Sequence, residues 1–363
     1  MNKKTLDGKS IFDLSEFKAL IGKEQELNEG EFYLTKCPVD VSELRRYALA
    51  NEDCNPLWFD PEYAAKTRWK GIIAPPTFMH TCGGGSILVS AQIPGADDWP
   101  HGSLFAGAEF EFYLPIRVGD RIKPVSKYYG AVEKTGQFVG PMVLITAETR
   151  YTNQKNEVVG IYRHSVAKYS TAQAQKKGTY MEEELGPLFP SGYPQSEKAK
   201  NTARGSTPLF YEDVAVSAEI PSMVRKLTIP QIVSTADVSQ RIGIILPHTL
   251  PGPGCYWHYA VGESWKIRAL PAPMDEGPIR AAQPSQLITD WIGDDGWLSN
   301  LSFQIRRPIY AGDTTTWKGK VINKFIKNSQ HFVECEFLAE NQRGQISTKG
   351  NATVLLPSRH KNV

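Results

Sequence analysis

The sequence predicts an α+β protein built from two similar units in tandem, each one helix followed by an antiparallel sheet. Three observations carry this. First, FYLPIRVGDRIKP (112–124) and QIRRPIYAGDTTTW (304–317) repeat, aligning Pro115 with Pro308 and Gly119-Asp120 with Gly312-Asp313. Second, each repeat is followed by two β-rich segments, MVLITAETRYT and EVVGIYRHSVAKYS in one case, HFVECEFLAE and ISTKGNATVLL in the other. Third, the composition changes between them, over residues 171–206, to a Lys-, Glu-, Gly-, Pro- and Ser-rich stretch without a sustained period.

That stretch reads as a linker, because a loop of such length inside one domain is unusual. It divides the chain into a first unit over 1–170 and a second over 207–363. An internal duplication is the economical explanation. In the first unit the segment 77–89 is small and apolar, includes Gly83-Gly84-Gly85, and predicts a helix. In the second, apolar residues at Ile279, Ala282, Leu287, Ile288 and Trp291 follow nearly the helical period, predicting a helix over 279–292. Trp291 and the DDGW that ends at Trp297 read as its end and a turn. The Gly-Asp pairs predict tight turns between strands, and Asn153-Gln154-Lys155-Asn156 and Asn341-Gln342-Arg343-Gly344 predict hairpin turns. A helix with an antiparallel sheet, twice over, is an α+β pattern in which each sheet wraps its helix.

With 363 residues, 41% hydrophobic and 22% charged, the chain is long enough for two ordinary domains with a core. A formal net charge of +2 gives no reason to expect nucleic acid or an anionic membrane surface as partner. No apolar stretch approaches the roughly 20 residues that span a bilayer. The polar N-terminus lacks the apolar core of a secretory signal. The five cysteines (Cys37, Cys54, Cys82, Cys255, Cys335) form no CxxC pair and are odd in number. A disulfide framework or structural zinc is therefore not expected. A cytoplasmic chain with buried or half-buried thiols is expected instead.

The segment RYALANEDCNPLWFDPEYAAKTRWKGIIAPPTFM (46–79) resembles the opening region of MaoC-like dehydratases, which include the R-specific enoyl-CoA hydratases. Their active motif runs D-x-N-P-[IL]-H-x-D and later I-x-H-G. Asp53, Asn55, Pro56, Leu57, Asp60 and Ala64 match it, and the resemblance extends through both units. It implies a double hotdog fold and the reversible hydration of an α,β-unsaturated acyl-CoA. In the family an Asp and a His hold the water, and a backbone N–H faces the thioester carbonyl, backed by a helix N-terminus.

Against that pattern the first unit departs twice. Trp58 stands at the His position, and Pro75-Pro76 replace His-Gly. Tryptophan cannot act as a base, and Pro76 has no N–H to donate. The first unit is therefore expected to accommodate the acyl group, with Asp53, Asn55, Trp58 and Pro76 as binding positions. Turn and cap chemistry accounts equally for Asp53 and Asn55.

CYWHYAVGESWKIRALPAPMDEGPIRAA (255–282) looks like the modified motif of the second unit. His258 falls at the catalytic His and Gly277 at the oxyanion-hole Gly, just before the predicted helix. The family's Asp is absent, replaced by the insertion RIGIILPHTLPGPG (241–254), which carries His248. Asp275, Glu276 and Asp237 are the candidate carboxylates. His258 either serves as acid and base near neutral pH or packs between Trp257 and Tyr259. Trp257 and Arg280 are candidate binding residues, Arg280 for a phosphate or an acidic acyl group, with a salt bridge as the alternative. His80 is expected in the core or at an interface.

The resemblance thus implies a hydro-lyase without metal or redox cofactor, CoA being part of its acyl-CoA substrate. The enriched Trp and Tyr hint at a bulky or aromatic acyl group. The chain is expected to form a homodimer or to join a partner subunit. A thioester-binding subunit and a thioesterase are the competing readings.

Overall fold

Gly119 and Gly312 occupy the same turn twice. Both adopt φ of +93°, a left-handed conformation that glycine enters without steric cost. The following aspartate closes each turn: Asp120 accepts from the Arg117 N–H at 2.7 Å, and Asp313 from the Tyr310 N–H at 3.0 Å. A glutamine from the next hairpin then joins. Gln154 Nε2 donates to Asp120 at 3.0 Å and Gln342 Nε2 to Asp313 at 2.7 Å. In return, the Arg121 and Thr314 N–H groups donate to the two glutamine Oε1 atoms at 3.0 and 2.9 Å. Both predicted turns, in both units, are held by the same bonds.

The computed structural model describes residues 14–25, 37–82, 102–179, 208–238 and 270–360. The first unit supplies β1 (Glu24–Gln25), β2 (Gly102–Phe112), β3 (Lys123–Gly136), β4 (Gly140–Thr152) and β5 (Val158–Tyr169). The second supplies β6 (Glu219–Lys226), β7 (Trp297–Ile305), β8 (Thr314–Lys327), β9 (Gln330–Asn341) and β10 (Ile346–Leu355). They form one antiparallel sheet in the order β1-β3-β4-β5-β2-β7-β10-β9-β8-β6, which reads as the same half-sheet met from either edge. The halves join where β2 pairs with β7, from Gly107 opposite Gln304 to Glu111 opposite Asn300. A side chain at Gly107 would meet the Phe303 carbonyl oxygen at 2.4 Å, so this close approach requires glycine.

The helices are α1 (Ser15–Leu20), α2 (Val41–Ala50), α3 (Pro61–Lys66), α4 (Thr171–Lys177), α5 (Ile229–Val238) and α6 (Gly277–Ile292). A capping box starts α2: the Glu43 N–H donates to Asp40 at 2.9 Å and the Asp40 N–H to Glu43 at 3.2 Å. The predicted helix over 279–292 is α6, which starts at Gly277 with Pro278 in its first turn, where a missing N–H costs nothing. Almost every side chain from Ile279 to Ile292 is buried, because the sheet wraps the helix. One apolar cluster runs from Leu44 and Phe78 in the first unit to Ile288 and Trp317 in the second.

Three expectations change. The helix predicted over 77–89 begins as 3₁₀ turns over Pro76–Cys82, and 83–89, with the triple glycine, lies outside the described residues. The first seven residues of the predicted linker form α4, because Ser170 caps its start at the Gln173 N–H and Gly178 ends it at φ +60°. Ala174 seats it on Val139 and Tyr169. Cys82 and Cys335 are buried as expected, but Cys37 and Cys54 are exposed, since both stand in the loops that flank α2. Among the described residues no helix is long and apolar enough to cross a membrane.

Candidate active site

The D-x-N-P loop leaves α2 and folds back on itself. Asp53 and Trp58 are both buried. The Trp58 indole N–H donates to Asp53 Oδ2 at 2.9 Å, and the Asn55 N–H donates to Oδ1 at 3.2 Å. Asn55 Oδ1 caps the next turn by accepting from the Leu57 N–H at 3.1 Å, while its buried Nδ2 finds no partner among the described residues. Asp60 caps α3 through the Glu62 and Tyr63 N–H groups, each at 3.0 Å. Tyr47 of α2 donates to Thr77 at 3.1 Å, which fastens the loop to the start of the 3₁₀ segment at Pro76. Burial drives the Tyr47 hydroxyl pKa upward, so it stays a donor.

Pro76 and Gly277 are structural equivalents. The bridge from Ile73 to Arg117 leads to Pro76, and the bridge from Met274 to Tyr310 leads to Gly277. The Ala74 N–H donates to the Ile116 carbonyl at 2.8 Å, and the Asp275 N–H to the Ile309 carbonyl at 2.9 Å. The same structural position therefore carries no N–H in the first unit and an N–H in the second. The Glu276 side chain makes no cap bond to the α6 N-terminus, so among the described residues the first N–H groups of the helix, oriented along its dipole, have no N-cap side-chain acceptor. The ring of Phe105, on β2 of the other unit, lies against this turn. A Cβ at Gly277 would stand 3.2–3.3 Å from its carbons.

Asp275 and Arg280 are buried and bound to each other. Arg280 Nε donates to Asp275 Oδ2 at 2.5 Å and Nη2 to Oδ1 at 2.7 Å, a two-point pair. Arg280 Nη1 donates to Thr348 Oγ1 at 2.9 Å and to the Ser347 and Arg307 carbonyls at 3.2 Å. The Ile309 N–H also donates to Asp275, at 3.3 Å. Arg280 therefore faces the protein rather than a phosphate or an acyl group, and Asp275 has Arg280 as its charge partner.

The two units also meet along α6. Gln286 Nε2 donates to the Glu52 carbonyl at 3.1 Å, next to Asp53. Gln286 is nine residues past Gly277, roughly 13 Å along the axis at ~1.5 Å per residue. The loop of the first unit thus sits on the middle of α6, away from its N-terminus. Glu276 is half-buried at the N-cap, and Asp237 falls in the last turn of α5. His258 and Trp257, with His248 and the insertion over 241–254, lie outside the described residues.

The family model for the FAS1-like dehydratase domain region matches residues 30–185. The (R)-specific enoyl-CoA hydratase of Aeromonas caviae is 33% identical over 82 residues, covering 23% of this chain and 56% of the hydratase. A UPF0336 protein of Streptomyces avermitilis is 31% identical over 103 residues, 27% of this chain and 66% of that protein. The chain thus spans between about half and two thirds of the curated relatives it matches. A solved MaoC-like dehydratase superposes with a TM-score of 0.67 at 20% identity, covering 94% of this chain and 99% of the other.

The chain shares the fold of MaoC-like dehydratases.

Its fold is the double hotdog. A Mycobacterium tuberculosis protein described with that fold superposes with a TM-score of 0.54 at 10% identity, over 88% of this chain and 92% of that one. A concavity of about 1670 Å³ straddles the β2–β7 seam beside Glu109, Arg163 and Lys320. Its lining includes neither Pro76 nor Gly277.

Two histidines of the first unit stand out. His80, expected in the core, bonds the Thr77 carbonyl through Nδ1, while Nε2 is buried without a partner among the described residues. Burial lowers its pKa to about 4. His164 on β5 is 3% exposed and stacks on Tyr162. Sequence reasoning passed over His164, Phe105 and Tyr47. The alternation of EVVGIYRHSVAKYS puts Tyr162 and His164 on one face, but no local signal places His164 against Phe105 of β2.

Proposed function

We propose that this chain is a MaoC-like dehydratase that adds water reversibly across the α,β double bond of an enoyl-CoA. One observation carries the reading: the N-terminus of α6, opening at Gly277 and left without a cap bond from Glu276, lies against Phe105 of the other unit. As hydroxide from water adds to the β-carbon, negative charge moves to the thioester oxygen. The Gly277 N–H and the dipole of α6 would stabilise that charge. His258 would take the water proton, and a proton would reach the α-carbon, so addition is balanced. Glu276, at the N-cap, and Asp237 are the carboxylates proposed to share the proton work. Asp275 and Arg280 would position the turn that presents Gly277.

The first unit, with Asp53, Asn55, Trp58 and Pro76, would shape the acyl site, and Trp257 the approach to it. The chemistry needs acid, base and an N–H donor, with CoA as part of the substrate and no redox cofactor. The named activity of the Aeromonas hydratase supports the substrate class. A cytoplasmic setting fits the absence of a disulfide at Cys37, Cys54, Cys82 and Cys335, the cysteines among the described residues, and a homodimer or a partner subunit is the proposed assembly.

The test is to incubate the full chain with enoyl-CoAs and with saturated acyl-CoAs. Loss of enoyl absorbance is expected, and His258→Ala should slow it by about 10²-fold or more. Thiol release without hydration would favour a thioesterase. No turnover of either set would favour a binding subunit, the reading that the Asp53–Trp58 bond also suits.

A further inference from the structure

β5 carries an imidazole that the proposed hydration does not use. His164 is 3% exposed, and neither of its ring nitrogens has a hydrogen-bond partner among the described residues. Its ring lies on Tyr162, with centroids 4.9 Å apart and 10° between planes, and stacks on Phe105 at 6.4 Å and 28°. Tyr162 stacks in turn on Phe110 at 4.5 Å. Burial pulls the His164 pKa down to about 3, so the ring is neutral at physiological pH.

A neutral imidazole offers one donor and one acceptor. Leaving such groups buried and unbonded is destabilising, and folded proteins rarely keep them without a reason. An apolar residue of similar shape would serve packing better here, among Phe105, Phe110 and Tyr162. The reason is found in the neighbour: Phe105 is the ring that lies against Gly277. His164 therefore stands one aromatic ring away from the helix N-terminus, on the side of the unit assigned to the acyl group. A ring so reluctant to take a proton suits a hydrogen-bond partner rather than a base.

We infer that His164 is a specificity-determining residue that hydrogen-bonds a hydroxyl or oxo group carried along the acyl chain. This rests on the reading in which Gly277 receives the thioester. The test compares two 2-enoyl-CoAs of equal chain length, one with a plain alkyl chain and one bearing a hydroxyl or oxo group. The wild-type chain is expected to prefer the polar chain in kcat/KM. His164→Phe is expected to lower kcat/KM for the polar chain by about tenfold or more while sparing the plain chain. His164→Gln, which keeps a donor and an acceptor, is expected to retain the preference. The Phe variant should melt no lower than wild type, because it removes an unsatisfied group. A Phe variant that unfolds would overturn the inference, since the nitrogens would then be structural. Equal losses on both chains, or no preference in the wild type, would overturn it while leaving hydration intact. Failure of the wild type on both substrates would remove the hydratase reading, and this inference with it.

Discussion

The indole N–H of Trp58 donates to Asp53 Oδ2 at 2.9 Å, five residues upstream. In the family motif that partner is a histidine, so the carboxylate here is held by a group that can neither accept nor release a proton at ordinary pH.

Restoring the histidine should not create a second active site. Pro76, the equivalent of Gly277, has no N–H, so the first unit still lacks a donor for the thioester oxygen. Trp58→His in a His258→Ala background is expected to stay at the single-variant rate, followed by enoyl absorbance. Recovery of turnover in the double variant would show that the first unit holds a competent oxyanion site. Trp58→Phe alone should lower stability by about 1–3 kcal/mol in urea unfolding, the range for removing a buried donor.

Asp275 and Arg280 form a buried, two-point ion pair at the start of α6. Arg280→Met should cost about 3–5 kcal/mol, because it leaves a buried carboxylate without its cation. Asp275→Leu combined with Arg280→Met should recover much of that loss, as the uncompensated charge is gone. The check is a double-variant cycle by urea unfolding, with strict additivity as the contrary result.

Phe105 limits what can stand at Gly277. An alanine there would press its Cβ to 3.2–3.3 Å from the ring carbons, and the helix start or the ring must shift. Gly277→Ala is expected to lower kcat/KM for hydration by about tenfold or more, given the sensitivity of such donors to misplacement. Adding Phe105→Ala should restore part of the loss by opening space. Steady-state kinetics of the two variants decide the matter.

Acid should weaken the fold through two imidazoles. Burial lowers His80 to about 4 and His164 to about 3, against about 6.5 in the unfolded chain. The unfolded chain therefore binds more protons between those values. Their contribution is intact above about pH 6.5 and is lost as pH falls toward 4 for His80 and 3 for His164, at up to about 1.4 kcal/mol per pH unit for each. Replacing both by Phe should flatten the pH dependence of urea unfolding between pH 6 and 4. An unchanged slope would show that other groups set the acid limit.

The duplication was legible because its signals are local. Glycine at a left-handed turn, an aspartate closing it and a glutamine in the next hairpin act within a few residues or one strand pairing, and they recur in both units. The helix of the second unit was legible from its period, and Pro278 marked its first turn. The short helix α4 was missed because a Ser cap and a closing Gly outweighed a composition that reads as linker. The exposure of Cys37 and Cys54 was missed because residue type gives only an average burial.

By itself, the sequence determined the two-unit plan, the turns, the helix that begins near Gly277, and the loss of His and N–H at Trp58 and Pro76. These follow from backbone sterics, side-chain chemistry and period, which neighbouring residues settle among themselves. Only the tertiary structure decided that Arg280 binds Asp275, that Glu52 meets Gln286, and that Phe105 lies between Gly277 and His164. Those relationships join residues far apart in the chain through the β2–β7 seam and the wrapped helix, where packing of the whole sheet, rather than any local preference, sets who meets whom.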